Sequence, residues 1–422
     1  MIKANNPKLQ SWLDIPEGSD FPIQNIPFGI FKTKKQAPRV CTRIGDHVVD
    51  LAKMNDLGFF DGIDLPKNTL RNQYLNDFMA LGKSTTRAVR DRISDLFNKR
   101  SRKWNAKEKA DQFLIKVDAV EMILPVQVRD YTDFYSSIEH AKNVGAMFRD
   151  PKNALLPNWR HLPVGYHGRA SSIIVSGTPI HRPKGQSKAK DATKPSFGPS
   201  KLLDFELEMA FVIGKSTELG DTVSTSKAED YIFGMMLFND WSARDIQAWE
   251  YVPLGPFLGK SFASTVSPWV VTLDAMDPFR VKGPKQSPKV LPYLEYEGDK
   301  NYDLNLSVDI LPEEGKGKTV CKSNFKFMYW NMSQQLAHHT ANGCNLNVGD
   351  MCASGTISGK NKNSYGSMLE ITWRGSKPVT MPDGSERKFI NDGDTVLMKG
   401  WCEKDGIRIG FGEASGKVLP VK

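Results

Sequence analysis

Two periods of apolar spacing divide the chain. From Phe21 to Leu51 the apolar runs are short and broken by Pro and Gly. Phe21-Pro22-Ile23, Ile26 to Phe31, Arg39 to Ile44 and His47 to Leu51 read as short strands joined by turns. Two stretches with helical spacing follow. Leu70, Tyr74, Leu75, Phe78 and Leu81 share one face, and so do Val89, Ile93, Leu96 and Phe97. The segment from Phe113 to Pro125 leads out of this region. Beyond it, short alternating stretches between Gly, Pro, Asn and Asp turns dominate: 203–213, 267–273, 302–311, 368–373 and 395–401. Helical spacing reappears only near 137–148, 226–233, 241–249 and 325–339. The pattern predicts a mainly β fold with some α, in two domains, 1–125 and 126–422.

Composition narrows the class. Of 422 residues, 40% are apolar and 25% charged, enough for a large core and unlike a disordered chain. Lys plus Arg is 57 against 48 Asp plus Glu, a net charge of +9. Part of the excess sits in two runs, Arg87 to Lys109 and Lys184 to Lys194. Neither offers a basic face with interleaved aromatics, so nucleic acid is not the expected partner; a solvated helix face and a loop are. A basic surface can still draw an anionic small substrate. Five scattered cysteines without a CxxC pair argue against a disulfide framework or a zinc–thiolate site. The start, Met-Ile-Lys-Ala-Asn-Asn-Pro, has no apolar signal core, and no run approaches the ~18 apolar residues of a membrane span. A cytosolic protein is expected.

The candidate chemistry lies in the second domain. In Leu203 to Phe211 the apolar residues alternate strictly, which places Asp204, Glu206 and Glu208 together on the other face of a strand. Adjacent glutamates repel there unless a cation or water screens them, although a plain polar outer face has the same pattern. In Asp133-Phe-Tyr135-Ser136-Ser137-Ile138-Glu139-His140, Ser136 and Glu139 fit a capping box, which puts His140 in a helix's first turn. The positive end of the helix disfavours imidazolium there and leaves His140 available as a base, or simply exposed on the helix surface. After Asp240, the residues Arg244, Gln247 and Tyr251 recur at helical spacing. A face with a guanidinium, an amide and a phenol suits an anionic, oxygen-rich ligand, or an ordinary surface of ion pairs. Lys260 lies in Gly/Pro-rich apolar sequence that suggests a partly buried ammonium. If these segments meet, Asp133, Glu206, Glu208 and Asp240 form an all-oxygen set that selects Ca²⁺, Mg²⁺ or Mn²⁺ over zinc.

Six longer motifs carry a resemblance. They are Asp-Tyr-Thr-Asp-Phe-Tyr-Ser-Ser with His140, the stretch 158–169 ending Gly-Tyr-His-Gly-Arg, Glu-Leu-Glu-Met-Ala-Phe, Asn-Asp-Trp-Ser-Ala-Arg-Asp-Ile-Gln, Trp-Glu-Tyr-Val-Pro-Leu-Gly-Pro-Phe-Leu-Gly-Lys, and Ser-Gly-Thr-Ile-Ser-Gly. Together they resemble the eukaryotic-type fumarylacetoacetase family, through essentially the whole chain. The resemblance implies an N-terminal SH3-like barrel, a C-terminal mixed β-roll and a homodimer. It implies hydrolysis of 4-fumarylacetoacetate to fumarate and acetoacetate, the last step of tyrosine breakdown. Carried over residue by residue, it implies Ca²⁺ on Asp133, Glu206, Glu208 and Asp240, and a base His140 positioned by Glu370. Substrate contacts would come from Tyr135, Arg149, Tyr166, Gln247, Tyr251 and Thr356, with Arg244 and Lys260 near the reacting centre. A Mg²⁺ would sit near Asp240, Lys260 and Ser264.

Two positions depart from the family's pattern. Ala263-Ser264 stands where Gly-Thr is usual, and Ser264 keeps the hydroxyl. Asp150 stands where Gly often follows the arginine, and puts a negative charge beside Arg149. Related activities on the same scaffold, acylpyruvate hydrolysis or oxaloacetate-type decarboxylation, go with a shorter N-terminus and less aromatic motifs. A non-catalytic binding protein is the reading of a different class, and the intact His140, Glu370 and carboxylate set speaks against it.

Overall fold

The computed structural model describes residues 2–101 and 105–422. Arg102 and Lys103 of the first basic run therefore lie outside the described residues. The N-terminal domain is built on a five-stranded antiparallel sheet, in the order Leu114–Lys116, His47–Asp50, Gln36–Ile44, Phe28–Thr33, Glu121–Ile123. Phe28, Ile30, Val40, Ile44 and Val49 are buried from it. The helix Gly82–Phe97 packs Val89, Ile93, Leu96 and Phe97 inward, the face expected from their spacing. The other expected helical face is interrupted. It becomes a 3₁₀ turn, Thr69–Arg71, and a short helix, Asn76–Ala80, although Leu70, Leu75 and Phe78 are still buried. Phe21-Pro22-Ile23 is not a strand; Phe21 and Pro22 are irregular and Ile23 begins a turn.

The C-terminal domain has two main sheets. The larger is mixed and eight-stranded. Its order is Gly165–His167, Tyr131–Phe134, Met351–Ala353, Leu207–Ile213, Ile232–Asp240, Ser264–Val266, Ile173–Val175, with Val271–Thr272 also paired to Ile232–Asp240. The second has five strands: Lys318–Asn324, Leu304–Leu311, Thr395–Lys404, Ile407–Leu419, Ile180–His181. Its central hairpin turns at Asp405-Gly406, both at positive φ (52° and 75°), the two-residue turn that Asp-Gly favours.

The strand Ile232–Asp240 is buried at all nine positions, because both of its faces are covered. Met235 and Leu237 point into the core shared with the second sheet, beside Leu306 and Met398. Phe233, Met236 and Phe238 join the core shared with the N-terminal domain, beside Phe28 and Phe78. Each such side chain contributes about 1.5–3 kcal/mol of burial. Backbone bonds also cross between the domains: Phe28 N donates to Val270 O at 2.9 Å, and Val270 N to Phe28 O at 2.8 Å.

Several local expectations change, among them that the helix expected at 325–339 is a 3₁₀ turn, Phe325–Phe327, and a separate helix, Met332–Thr340. The segment 203–211 is not one strand. Leu203–Asp204 pairs with Ser242–Ala243, the chain breaks at Phe205-Glu206, and Leu207–Ile213 pairs with Ile232–Asp240. Met368–Ile371 is a short helix capped by Ser367, because the buried carboxylate of Asp204 accepts its first N–H groups. The Lys184 to Lys194 run opens as a strand, Lys184–Ser187, of a small hairpin with Ser196–Pro199. The helix expected at 241–249 begins only at Arg244 and ends at Glu250.

Candidate active site

Glu206 stands at the break between Leu203–Asp204 and Leu207–Ile213. Leu207 N donates to Gly366 O at 2.9 Å, and Glu206 N to the Asn239 side chain at 3.2 Å. Glu208 stands one turn of the pleat further along. Asp240 ends the neighbouring strand, and Asp133 lies on the strand Tyr131–Phe134, in register with Ala353. All four carboxylates are buried, and one oxygen from each lies within 4.8 Å of all the others.

Two cations enter this group. Lys260 Nζ contacts Asp240 Oδ2 at 2.6 Å and also Glu206 Oε2, while Arg244 Nη1 contacts Glu206 Oε1 at 2.8 Å. Burial pushes Glu206 upward, but Lys260, Arg244 and His140 outweigh it and hold the carboxylate well below its ordinary range. Burial likewise lowers Lys260, but Asp240 and Glu206 more than reverse that and keep it an ammonium. Asp133 and Glu208 have no such match. Burial pushes both up, and their carboxylate neighbours push them further.

Asp133 Oδ1 and Glu208 Oε1 are buried without a hydrogen-bond partner. Ionising both in a dry pocket, with two oxygens orphaned, is costly unless a cation is present. The donor set is entirely oxygen, so the residues fit a hard divalent cation. Other oxygens of the group are held in place. Ser264 Oγ donates to Asp240 Oδ1 at 3.0 Å, Tyr166 Oη to Asp240 Oδ2 at 3.1 Å, and Gly355 N to Glu208 Oε2 at 2.9 Å. Gly355 has φ +78°, and a Cβ there would lie 2.4 Å from Phe134 O, so only glycine brings that N–H so close.

His140 lies on the helix Ile138–Phe148. The cap is Ser137, not Ser136: Ser137 Oγ accepts from His140 N at 3.4 Å, whereas Ser136 Oγ accepts from Gln335. His140 Nδ1 is 2.7 Å from Glu370 Oε2, and both side chains are buried. Asn143 donates to Glu370 Oε1 at 2.9 Å; Ser358 and Ser367 donate to Oε2 at 2.9 and 3.0 Å. Burial would raise Glu370, but His140, Asn143 and Ser358 hold it below its ordinary value. An ionised Glu370 accepts only, so in the neutral imidazole the proton is assigned to Nδ1 and Nε2 keeps a free lone pair. The Tyr135 ring stands edge-on to the imidazole, 5.2 Å away.

A cleft of about 200 Å³ lined by Tyr166, Asp240, Phe257, Lys260 and Ser264 opens beside the carboxylates. Arg244 and Gln247 share the helix Arg244–Glu250, with Arg244 Nη1 3.4 Å from Gln247 Oε1. Thr356 is buried next to Gly355, and Tyr251, at the helix end, is half exposed. Arg149 ends the His140 helix, is exposed, and donates to Ala154 O at 2.7 Å. The Asp150 carboxylate accepts from Lys152 N at 3.0 Å; among the described residues it forms no ion pair with Arg149. Asn143, Ser358, Ser367 and the role of Asp204 were not anticipated. Asn143 had a signal, standing three residues after His140 on the same helix face.

Comparison with known proteins gives the family. The family model described as "Fumarylacetoacetate (FAA) hydrolase C-terminal" matches residues 130–418, and "Fumarylacetoacetase N-terminal" matches 24–125. The chain is 52% identical to human fumarylacetoacetase over 415 residues, covering 97% of this chain and 99% of that protein. It is 55% identical to the Caenorhabditis elegans fumarylacetoacetase over 420 residues, covering 98% and 99%. Among solved structures, a fumarylacetoacetate hydrolase from psychrophilic Exiguobacterium antarcticum shares the fold, with a TM-score of 0.54 at 17% identity over 94% of this chain and 99% of that one. Both domains and nearly the full length being matched, the chain belongs to the fumarylacetoacetase family.

Proposed function

We propose that this chain hydrolyses the carbon–carbon bond of 4-fumarylacetoacetate to give fumarate and acetoacetate, a step of tyrosine and phenylalanine breakdown. The observation that carries the reading is the buried His140–Glu370 pair beside a carboxylate group fit for a cation. Asp133, Glu206, Glu208 and Asp240 would hold a divalent cation, Ca²⁺ in this reading. A Mg²⁺ would be held near Asp240, Lys260 and Ser264. When bound, the cation supplies Lewis-acid polarisation of the substrate's carbonyl oxygens.

The chain's own residues do the rest. His140 Nε2 takes a proton from water, with Glu370 holding the ring and balancing the imidazolium. The hydroxide adds to the carbonyl carbon next to the fumaryl part. Arg244, Gln247 and Lys260 donate to the alkoxide that forms. As that alkoxide collapses, the carbon–carbon bond breaks and its electron pair leaves with the acetoacetate fragment as an enolate. That fragment takes up the proton from His140. Tyr135, Arg149, Tyr166, Tyr251 and Thr356 hold the ends of the substrate. The same reading places the enzyme in the cytosol as a homodimer, with the N-terminal domain ending near residue 125. Among the described residues, no helix is long and apolar enough to cross a membrane.

The test is loss of the diketone absorbance on mixing with fumarylacetoacetate, before and after chelation and with Ca²⁺ or Mg²⁺ returned. Turnover that disappears with the metal and returns with it supports the reading. No turnover under any metal condition overturns it.

A further inference from the structure

Asp204 is a fully buried carboxylate that no step above uses. Oδ1 accepts from Met368 N at 2.7 Å. Oδ2 accepts from Leu369 N at 3.0 Å and from Arg244 Nε at 2.9 Å. Met368 and Leu369 open the short helix that carries Glu370, and Arg244 opens the helix that carries Gln247. One side chain thus touches the support of the base and the support of the alkoxide donors.

The accounting at Arg244 is specific. Nε is held by Asp204, Nη1 by Glu206 and Gln247, and Nη2 is buried with no hydrogen-bond partner. Glu206 alone could neutralise the guanidinium. Two carboxylates bound at different nitrogens do more: they fix the plane of the fork and leave Nη2 as its one donor without a partner. A four-residue helix cannot hold its own geometry, so its first N–H groups need an external acceptor.

We propose that Asp204 is a positioning residue: it sets Arg244 against the Glu370 helix so that Nη2 meets the developing alkoxide while His140 stays aligned. The proposal rests on the hydrolytic reading. Asp204→Asn keeps an acceptor for Met368 but releases Nε. It lowers kcat by about 10- to 100-fold, with KM changed less than about threefold and with metal content and melting midpoint near wild type. In an Arg244→Lys background, which has no Nε, the same substitution adds little; additive losses overturn the proposal. Asp204→Glu restores charge but misplaces it by one methylene, and provides a second folded variant if Asp204→Asn is unstable. It too loses kcat; wild-type kcat in Asp204→Glu overturns the proposal.

A readout free of turnover separates the two readings. The Arg244 Nε–H resonance in arginine-labelled protein exchanges slowly in wild type and fast in Asp204→Asn. Unchanged protection overturns the positioning role, whatever the wild-type enzyme hydrolyses. Wild-type protein inactive on fumarylacetoacetate overturns the hydrolytic reading instead, and with it the catalytic purpose of the clamp.

Discussion

Lys260 Nζ lies 2.6 Å from Asp240 Oδ2, and the same ammonium touches Glu206, so a cation of the chain itself sits inside the group of four buried carboxylates. The group is therefore uneven. Glu206 and Asp240 are matched by Lys260 and Arg244, while Asp133 and Glu208 keep oxygens with no partner. The matched half sets the geometry, and the unmatched half is where added positive charge gains most.

Replacing Glu208 with Gln tests that unevenness. The amide oxygen can still accept from Gly355 N, but the carboxyl whose ionisation burial and its neighbours oppose is gone. The metal-free variant is expected to melt above metal-free wild type. Wild type should gain ~2.7 kcal/mol at a cation concentration of about 100 Kd; the variant should gain little. Calorimetric melting with and without Ca²⁺ decides it, and equal gains would show that Glu208 is not a ligand.

Lys260→Met removes the ammonium, leaving Asp240 without an ion-pair partner and Glu206 with Arg244 alone. Breaking a buried pair in this way costs about 3–5 kcal/mol. Saturating divalent cation should recover part of the loss, because it restores positive charge to the same oxygens. Urea unfolding in both conditions measures this. A variant as stable as wild type without metal contradicts the ion-pair account.

His140→Ala removes the base without touching the carboxylates. Turnover should fall by about 10²- to 10⁴-fold, with metal content per chain unchanged by atomic absorption. Near-normal turnover would remove His140 from the mechanism.

Glu370 carries a pH signature. Its folded pKa lies below the ordinary value of 4.5, so its ionised form adds stability that is fully present above pH 4.5 and is lost as pH falls through the lower, folded value. In Glu370→Gln that contribution is absent at every pH. The stability gap between wild type and variant should therefore narrow as pH drops from 5 toward 3. A gap that stays constant or widens would mean that Glu370 is not held ionised in the folded protein.

Much of the site was legible in the residues. The alternation around Glu206 and Glu208 placed the two carboxylates on one side, and the spacing of Arg244 and Gln247 placed both on one helix. The start of the His140 helix was right to one residue, the cap moving from Ser136 to Ser137. These are local matters, set by period and capping within a few residues. Asp204 shows where that reading stops. By alternation it belonged with Glu206 and Glu208; in the fold the chain breaks at Phe205-Glu206, and Asp204 turns to Arg244 and the Met368 helix instead. Met368–Ile371 has strand-like residues, and it is helical because a carboxylate 164 residues away accepts its first N–H.

The sequence by itself determined which elements could form, which side chains share a face and which oxygens are available. Only the tertiary structure decided which strands pair, that Lys260 lies between Glu206 and Asp240, and that Asp133 and Glu208 are left unmatched. Burial and charge pairing depend on through-space distance between segments far apart in the chain, and a period of two or 3.6 residues carries no information about that distance.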